Sequence, residues 1–277
     1  AVFDARARLV AQAAHIPVHL GSMPRAVEAA LSLAPFRPGD AVLLNDPFDG
    51  GTHLPDLTCI SPVFLPGRKR PSFFVASRAH HADVGGAAPG SLPIAREVFE
   101  EGVRIPPVFV RRDGRDVPGV LTLLLANVRT PHERRADLAA QLGAQVTGTR
   151  RLIELAARGS AAELEGAARS LLDATERHAR ALVRQLPQGS WRFEDALDDD
   201  GLGNGPLAIR VQLTIAGGRV RADFTGSAPQ AAGPVNAVRA VTTAAVLYVL
   251  RCVLREDVAV NDGLLRVIEL VTPHPSI

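Results

Sequence analysis

The sequence predicts a mixed α+β fold: mainly antiparallel β regions, an inserted long helical hairpin and a closing buried helix. Three observations point there. Short apolar runs punctuated by glycine and proline dominate the first half; two long stretches with apolar residues at helical spacing follow; and a glycine-linked pair of alternating runs precedes one last apolar segment. With 277 residues, 47% of them hydrophobic and 22% charged, the chain has the apolar material for a large core. Three regions are expected, over residues 1–130, 131–187 and 188–277, as separate lobes or as one continuous domain, with 187–205 as the boundary segment.

Residues 2–11 alternate about a polar centre between Asp4 and Arg8, as a hairpin does, and Pro17 stops any helix begun behind it. Ser22, Met23 and Pro24 read as a helix cap and first turn, with Val27, Leu31 and Leu33 on one buried face. Pro38, Gly39 and Asp40 turn the chain into an apolar run at 41–44, and runs at 58–64 and 72–77 are further strands. Leu138, Leu142, Val146 and Ile153 mark a helix over 132–159. Leu164, Ala168, Leu171, Thr175, Ala179, Leu182 and Leu186 mark a second, ended by Pro187, with His178 packed on its stripe. The two should lie antiparallel. Runs at 191–196, 207–215 and 219–224 are strands, the last two joined by Gly217 and Gly218, and the aspartates at 198–200 read as a solvated loop. Residues 235–254 read as a buried helix that Asn236, Arg239, Thr242, Thr243 and Arg251 make too polar to span a membrane.

The charges, 31 basic against 29 acidic residues for a formal +2, are spread along the chain, which disfavours nucleic acid as a partner. Cys59 and Cys252 could close at most one bridge, so a reducing cytoplasm is the expected compartment. No G-x-x-x-x-G-K-[ST] loop, no G-x-G-x-x-G opening a helix and no G-x-S-x-G elbow occurs. The chain starts without an initiator methionine or a leader, which reads as a piece of something longer.

The eight histidines are placed informatively. Asn45-Asp46-Pro47, Gly50-Gly51-Thr52-His53-Leu54-Pro55-Asp56 and His80-His81-Ala82-Asp83 fall within about forty residues, each where an apolar strand gives way to glycine or proline. Imidazoles and carboxylates together form a nitrogen and oxygen ligand set suited to zinc, manganese, iron or cobalt. If 80–83 continues the preceding strand, His81 and Asp83 share a face and His80 points away; in a helical turn His80 pairs with Asp83 instead. Either way one histidine lies outside the ligand set. The bland alternative is a group of surface histidines and turn aspartates. Glu101, in Glu100-Glu101-Gly102-Val103-Arg104, is a candidate base beside such a metal. His15, His19, His132 and His178 are weaker candidates, with core or surface roles at least as fitting.

These motifs, together with Val18-His19-Leu20-Gly21-Ser22-Met23, Val84-Gly85-Gly86, Pro89-Gly90-Ser91, Ile105-Pro106-Pro107, Asn127-Val128-Arg129, Phe224-Thr225-Gly226-Ser227 and Asn261-Asp262-Gly263, resemble the hydantoinase B/5-oxoprolinase family, whose members are normally much longer. The resemblance implies a metal-dependent subunit of an ATP-coupled cyclic-amide hydrolase, acting in a hetero-oligomer with a hydantoinase A-type partner that binds the ATP. Ring opening of hydantoins or 5-oxoproline is the implied reaction; an acetone or acetophenone carboxylase subunit and a non-catalytic scaffold are the alternatives. Carried onto this chain, the resemblance implies a divalent metal, zinc or manganese, held by a subset of Asp46, His53, His80, His81 and Asp83, with Glu101 and Asp83 as catalytic groups.

Overall fold

A computed structural model describes residues 1–13, 16–90, 93–254, 257–274 and 276. Strands β1 (Val2–Asp4) and β2 (Leu9–Ala11) are followed by helix α1 (Met23–Ala30), then β3 (Ala41–Leu44), β4 (Asp56–Val63) and β5 (Phe73–His80). Helix α2 (Val98–Glu101), strands β6 (Val108–Arg112) and β7 (Arg115–Asp116) and helix α3 (Val120–Ala126) lead to the long helices α4 (Pro131–Ala156) and α5 (Ala161–Gln185). The chain closes with β8 (Gly189–Leu197), β9 (Leu207–Ala216), β10 (Arg219–Asp223), α6 (Arg239–Leu254), α7 (Asp262–Leu265) and β11 (Ile268–Val271).

The first seven strands form one antiparallel sheet in the order β2-β1-β5-β4-β3-β6-β7. The period-2 alternation of each strand feeds two separate cores. Val42, Leu44, Ile60, Phe74 and Ala76 point to one face, where Met23, Ala26, Val27 and Ala30 of α1 cover them with Phe3 and Leu9. Ala41, Leu43, Leu57, Cys59 and Val110 point to the other, under Leu138 and Leu142 of α4. Strand β4 is buried along its whole length, so its polar residues Asp56, Thr58 and Ser61 lie inside the fold rather than on a solvated face. The expected opening hairpin is present: buried Asp4 accepts hydrogen bonds from the Arg6 and Arg8 amides and from Arg8 Nε, closing the turn between β1 and β2.

Several local expectations fail for identifiable reasons. Ser22 does not cap α1, because its backbone is already helical (φ −95°, ψ −33°) and its hydroxyl is engaged by Arg78. Helices α4 and α5 share an apolar cluster only around their connection, through Leu152, Ala156, Ala161, Leu164 and Ala168. Farther on, α4 packs on the first sheet, whereas Ala179, Leu182 and Val183 of α5 pack with α6 and the second sheet, so the pair is not packed along its length. His178 is exposed on α5 rather than packed. Asp200 is fully buried, not solvated: it accepts from the Leu202, Asn204 and Gly233 amides and from Asn204 Nδ2, which hold its carboxyl down at about 2. The 187–205 segment carries β8, the edge of the second sheet, whose order is β11-β10-β9-β8 with β10 and β11 parallel. Helix α6 is buried on one face only, with Tyr248, Val249 and Val253 exposed on the other, and β11 rather than a helix ends the described fold. No helix among the described residues is long and apolar enough to cross a membrane.

Candidate metal centre

Sheet register selects the site. In the β4 and β5 pairing, Asp56 lies opposite His80 and Thr58 opposite Arg78. All four therefore stand on the same face as Ile60 and Ala76, the face covered by α1. Asp56 begins β4 and His80 ends β5, so the pair sits at the rim of the sheet, where a side chain can be anchored and still reach solvent.

His53 reaches the same rim from the preceding loop, which hydrogen bonds and one close glycine contact hold in place. Buried Asn45 donates from Nδ2 to the Leu54 and Val103 carbonyls (2.7 and 2.9 Å) and accepts the Ile105 amide at Oδ1 (2.6 Å). The Asp46 carbonyl accepts the Gly51 amide at 2.8 Å. Gly50 takes φ +94° with its Cα against the Arg25 and Ala26 backbone, where an added Cβ would lie 2.2 Å from the Ala26 nitrogen. The glycine motif thus serves close packing of the loop onto α1.

Asp56 Oδ1 lies 3.1 Å from His53 Nε2 and 3.1 Å from His80 Nδ1, and the two imidazoles stack with centroids 5.0 Å apart. Thr52 donates to the other carboxylate oxygen at 2.5 Å, and His19 Nδ1 stands 3.8 Å from it. Burial alone would raise the Asp56 carboxyl; hydrogen bonds from His53 and Thr52, the His53 charge and the His80 hydrogen bond outweigh it and hold the group well below the usual carboxylate range. Arg78 lies behind the site, donating to Thr58 Oγ1 (2.7 Å) and the Gly50 carbonyl (2.8 Å) and engaging Ser22 Oγ. Burial brings its guanidinium down to about 10, against the opposing pull of Asp56.

One ligand atom each from His53, Asp56 and His80 lies within 4.8 Å of the other two. With metal bonds of about 2.0–2.1 Å, atoms at tetrahedral angles are separated by roughly 3.3 Å, close to the spacings from Oδ1 to the imidazole nitrogens. Asp56 is almost wholly buried, whereas the His80 side chain is 48% exposed, which leaves one side of the group open. Two imidazoles, one carboxylate and an open side make a nitrogen and oxygen donor set that could hold a divalent metal such as zinc or manganese. Glu101, ending α2, is near enough for the charge of His53 to act on it; burial nevertheless raises its carboxyl above the ordinary range.

The other sequence candidates lie elsewhere. His81 follows the last residue of β5 and faces the opposite side of the sheet, where its Nε2 meets Gln141 Oε1 of α4 at 3.0 Å; burial lowers its imidazole. Asp83 accepts the Gly85 amide (3.0 Å) and Arg129 Nη1 (2.9 Å) at Oδ1 and the Arg129 amide at Oδ2, so it serves as a loop clamp. Asp46 accepts the Phe48 amide at 3.0 Å and lies 3.4 Å from Arg104 Nε. None of the three belongs to the ligand group among the described residues. Asp56, present in the sequence motif but not selected as a ligand, is its centre; its i, i+3 spacing from His53 was the available signal. His19 comes close from the turn before α1, His132 is exposed at the start of α4, and His15 lies outside the described residues.

The whole sequence, residues 1–277, matches the family described as hydantoinase B/oxoprolinase. The chain belongs to the hydantoinase B/oxoprolinase family. Within it, the chain is 33% identical over 273 residues to the caprolactamase subunit beta of Pseudomonas jessenii, covering 98% of this chain and 46% of that one. It is 35% identical over 296 residues to the 5-oxoprolinase of Saccharomyces cerevisiae, covering all of this chain and 22% of that one. The crystal structure of the ATP-dependent caprolactamase from Pseudomonas jessenii superposes with TM-score 0.92 at 32% identity, over 99% of this chain and 47% of the other. A nucleotide-free acetone carboxylase structure superposes with TM-score 0.87 at 20% identity, over 99% of this chain and 38% of that one, a likeness of fold. This member of the family thus spans less than half the length of each of these relatives.

Proposed function

We propose that this chain supplies the metal-bearing part of an ATP-coupled hydrolase of small cyclic amides, working in a hetero-oligomer with a hydantoinase A-type subunit that binds ATP. The observation that carries the reading is the shared Oδ1 of Asp56 between two imidazoles at a half-open strand end. His53, Asp56 and His80 would hold the cation, zinc or manganese. A cation there supplies Lewis acidity toward a carbonyl or phosphoryl oxygen and lowers the pKa of water.

The chain's own residues account for the remaining tasks. Thr52 holds Asp56 Oδ2, which keeps Oδ1 turned to the imidazoles. Glu101, with its carboxyl raised by burial, is the group suited to take up a proton beside His53 and deliver it to the leaving nitrogen. The relatives named as caprolactamase and 5-oxoprolinase support the amide substrate class.

The test is an assay of the chain with its A-type partner, ATP and metal against 5-oxoproline, hydantoins, caprolactam and small ketones, each with and without bicarbonate. ATP-dependent ring opening without bicarbonate is the expected result. Ketone consumption that requires bicarbonate would replace the hydrolase by a carboxylase, and undiminished activity of an Asp56→Asn, His80→Ala variant would reduce the group to scaffolding.

A further inference from the structure

Charges that are spread along the sequence are gathered by the fold. At the end of the first sheet away from the metal group lies a cavity of about 510 Å³. Three distant segments line it: the turn between β1 and β2, the connection between β4 and β5, and the second and third turns of α5. They bring together Arg6, Arg8, Arg68, Lys69, Arg70 and Arg169 around only two acids, Asp4 and Glu165. The lining carries a formal excess of four positive charges, whereas the whole chain carries +2, so the remainder is net negative.

The two acids are already used. Asp4 binds Arg8 Nε at 2.7 Å, and Glu165 takes Arg68 through Nε and Nη2 at 3.0 and 2.7 Å while accepting the Ser72 hydroxyl at 2.6 Å. These pairs stiffen the walls. Arg6, Lys69, Arg70 and Arg169 are exposed and make no ion pair among the described residues. Four uncompensated cations around a cavity sized for a small ligand call for a compact anion of similar charge. A single carboxylate neutralises a quarter of them and a monophosphate, at about −1.5 to −2, at most half.

We propose that this cavity is a binding site for a phosphate chain of two or three phosphoryl groups, free or carried by a nucleotide. It is separate from the metal group, since β5 starts at one with Phe73 and ends at the other with His80, about 23 Å along the strand. The inference is therefore independent of the metal reading.

The experiment is calorimetric titration of inorganic pyrophosphate into the full chain at about 50 mM salt, where electrostatic binding is least screened. Saturable binding with one site is expected, weakened at least 10-fold by Arg6→Gln with Arg70→Gln, two exposed changes that should leave the melting transition in place. A charge-matched control, Arg135→Gln with Arg177→Gln, should bind as the unchanged chain does. ATP and ADP binding more tightly than pyrophosphate would assign a nucleotide, and equal affinity a free polyphosphate. Absence of saturable binding, or equal weakening by the control, overturns the proposal.

Discussion

Asp56 and Asp83 invite comparison. Both are buried carboxylates, 3% exposed, both sit in histidine-containing motifs, and both are held below the ordinary carboxylate range. Their partners differ. Asp83 meets backbone amides and a guanidinium, donors that carry their protons permanently and cannot share a cation with it. Asp56 meets imidazoles, which can exchange a proton for a metal. A buried acid is thus assigned to chemistry or to architecture by whether its donors are themselves able to ligate.

Substitutions can break this comparison at several points. Asp56→Asn should lower metal affinity by more than about 100-fold, beyond what losing an outer partner does, with the fold intact by circular dichroism. Asp83→Asn should retain metal and lose roughly 2 kcal/mol of stability, read from a denaturation midpoint, because the Gly85 and Arg129 donors lose their charged acceptor. The acid response follows the same line. Since the folded Asp83 carboxyl titrates below the ordinary aspartate value of about 3.9, its contribution is complete above that pH and fades as pH falls through the lower folded value. The unfolding midpoint of the Asn variant should therefore depend less steeply on pH below 4 than that of the parent.

Smaller effects sharpen the picture. Thr52→Val should weaken metal binding about 10-fold by freeing Asp56 Oδ2, with little change in stability. His81→Ala should keep metal and cost about 1 kcal/mol through the lost bond to Gln141. Equal metal loss in the His80 and His81 variants would contradict the assignment by strand face.

How much of this was legible beforehand follows from the range of the interactions. The strands, the long helices and the opening hairpin were readable because apolar spacing is local. The clustering of His53, Asp56 and His80 within one motif region was visible too. The choice of His80 over His81 was not, because it depends on β5 ending at residue 80 and on its register with β4. Asp83 looked like a ligand because its clamp, Arg129, lies 46 residues away. Buried Asp200 escaped for the same reason, its Gly233 donor being 33 residues distant. Of the cation cluster, the run Arg68-Lys69-Arg70 is visible in the sequence, but its meeting with Arg6, Arg8 and Arg169 is not.

The most direct measurement is anomalous scattering from crystals of the chain grown with manganese or zinc. The account predicts a single strong peak about 2.1 Å from His53 Nε2, Asp56 Oδ1 and His80 Nδ1. A peak beside Asp83 and His81, or no peak at the Asp56 rim in metal-saturated crystals, would contradict it.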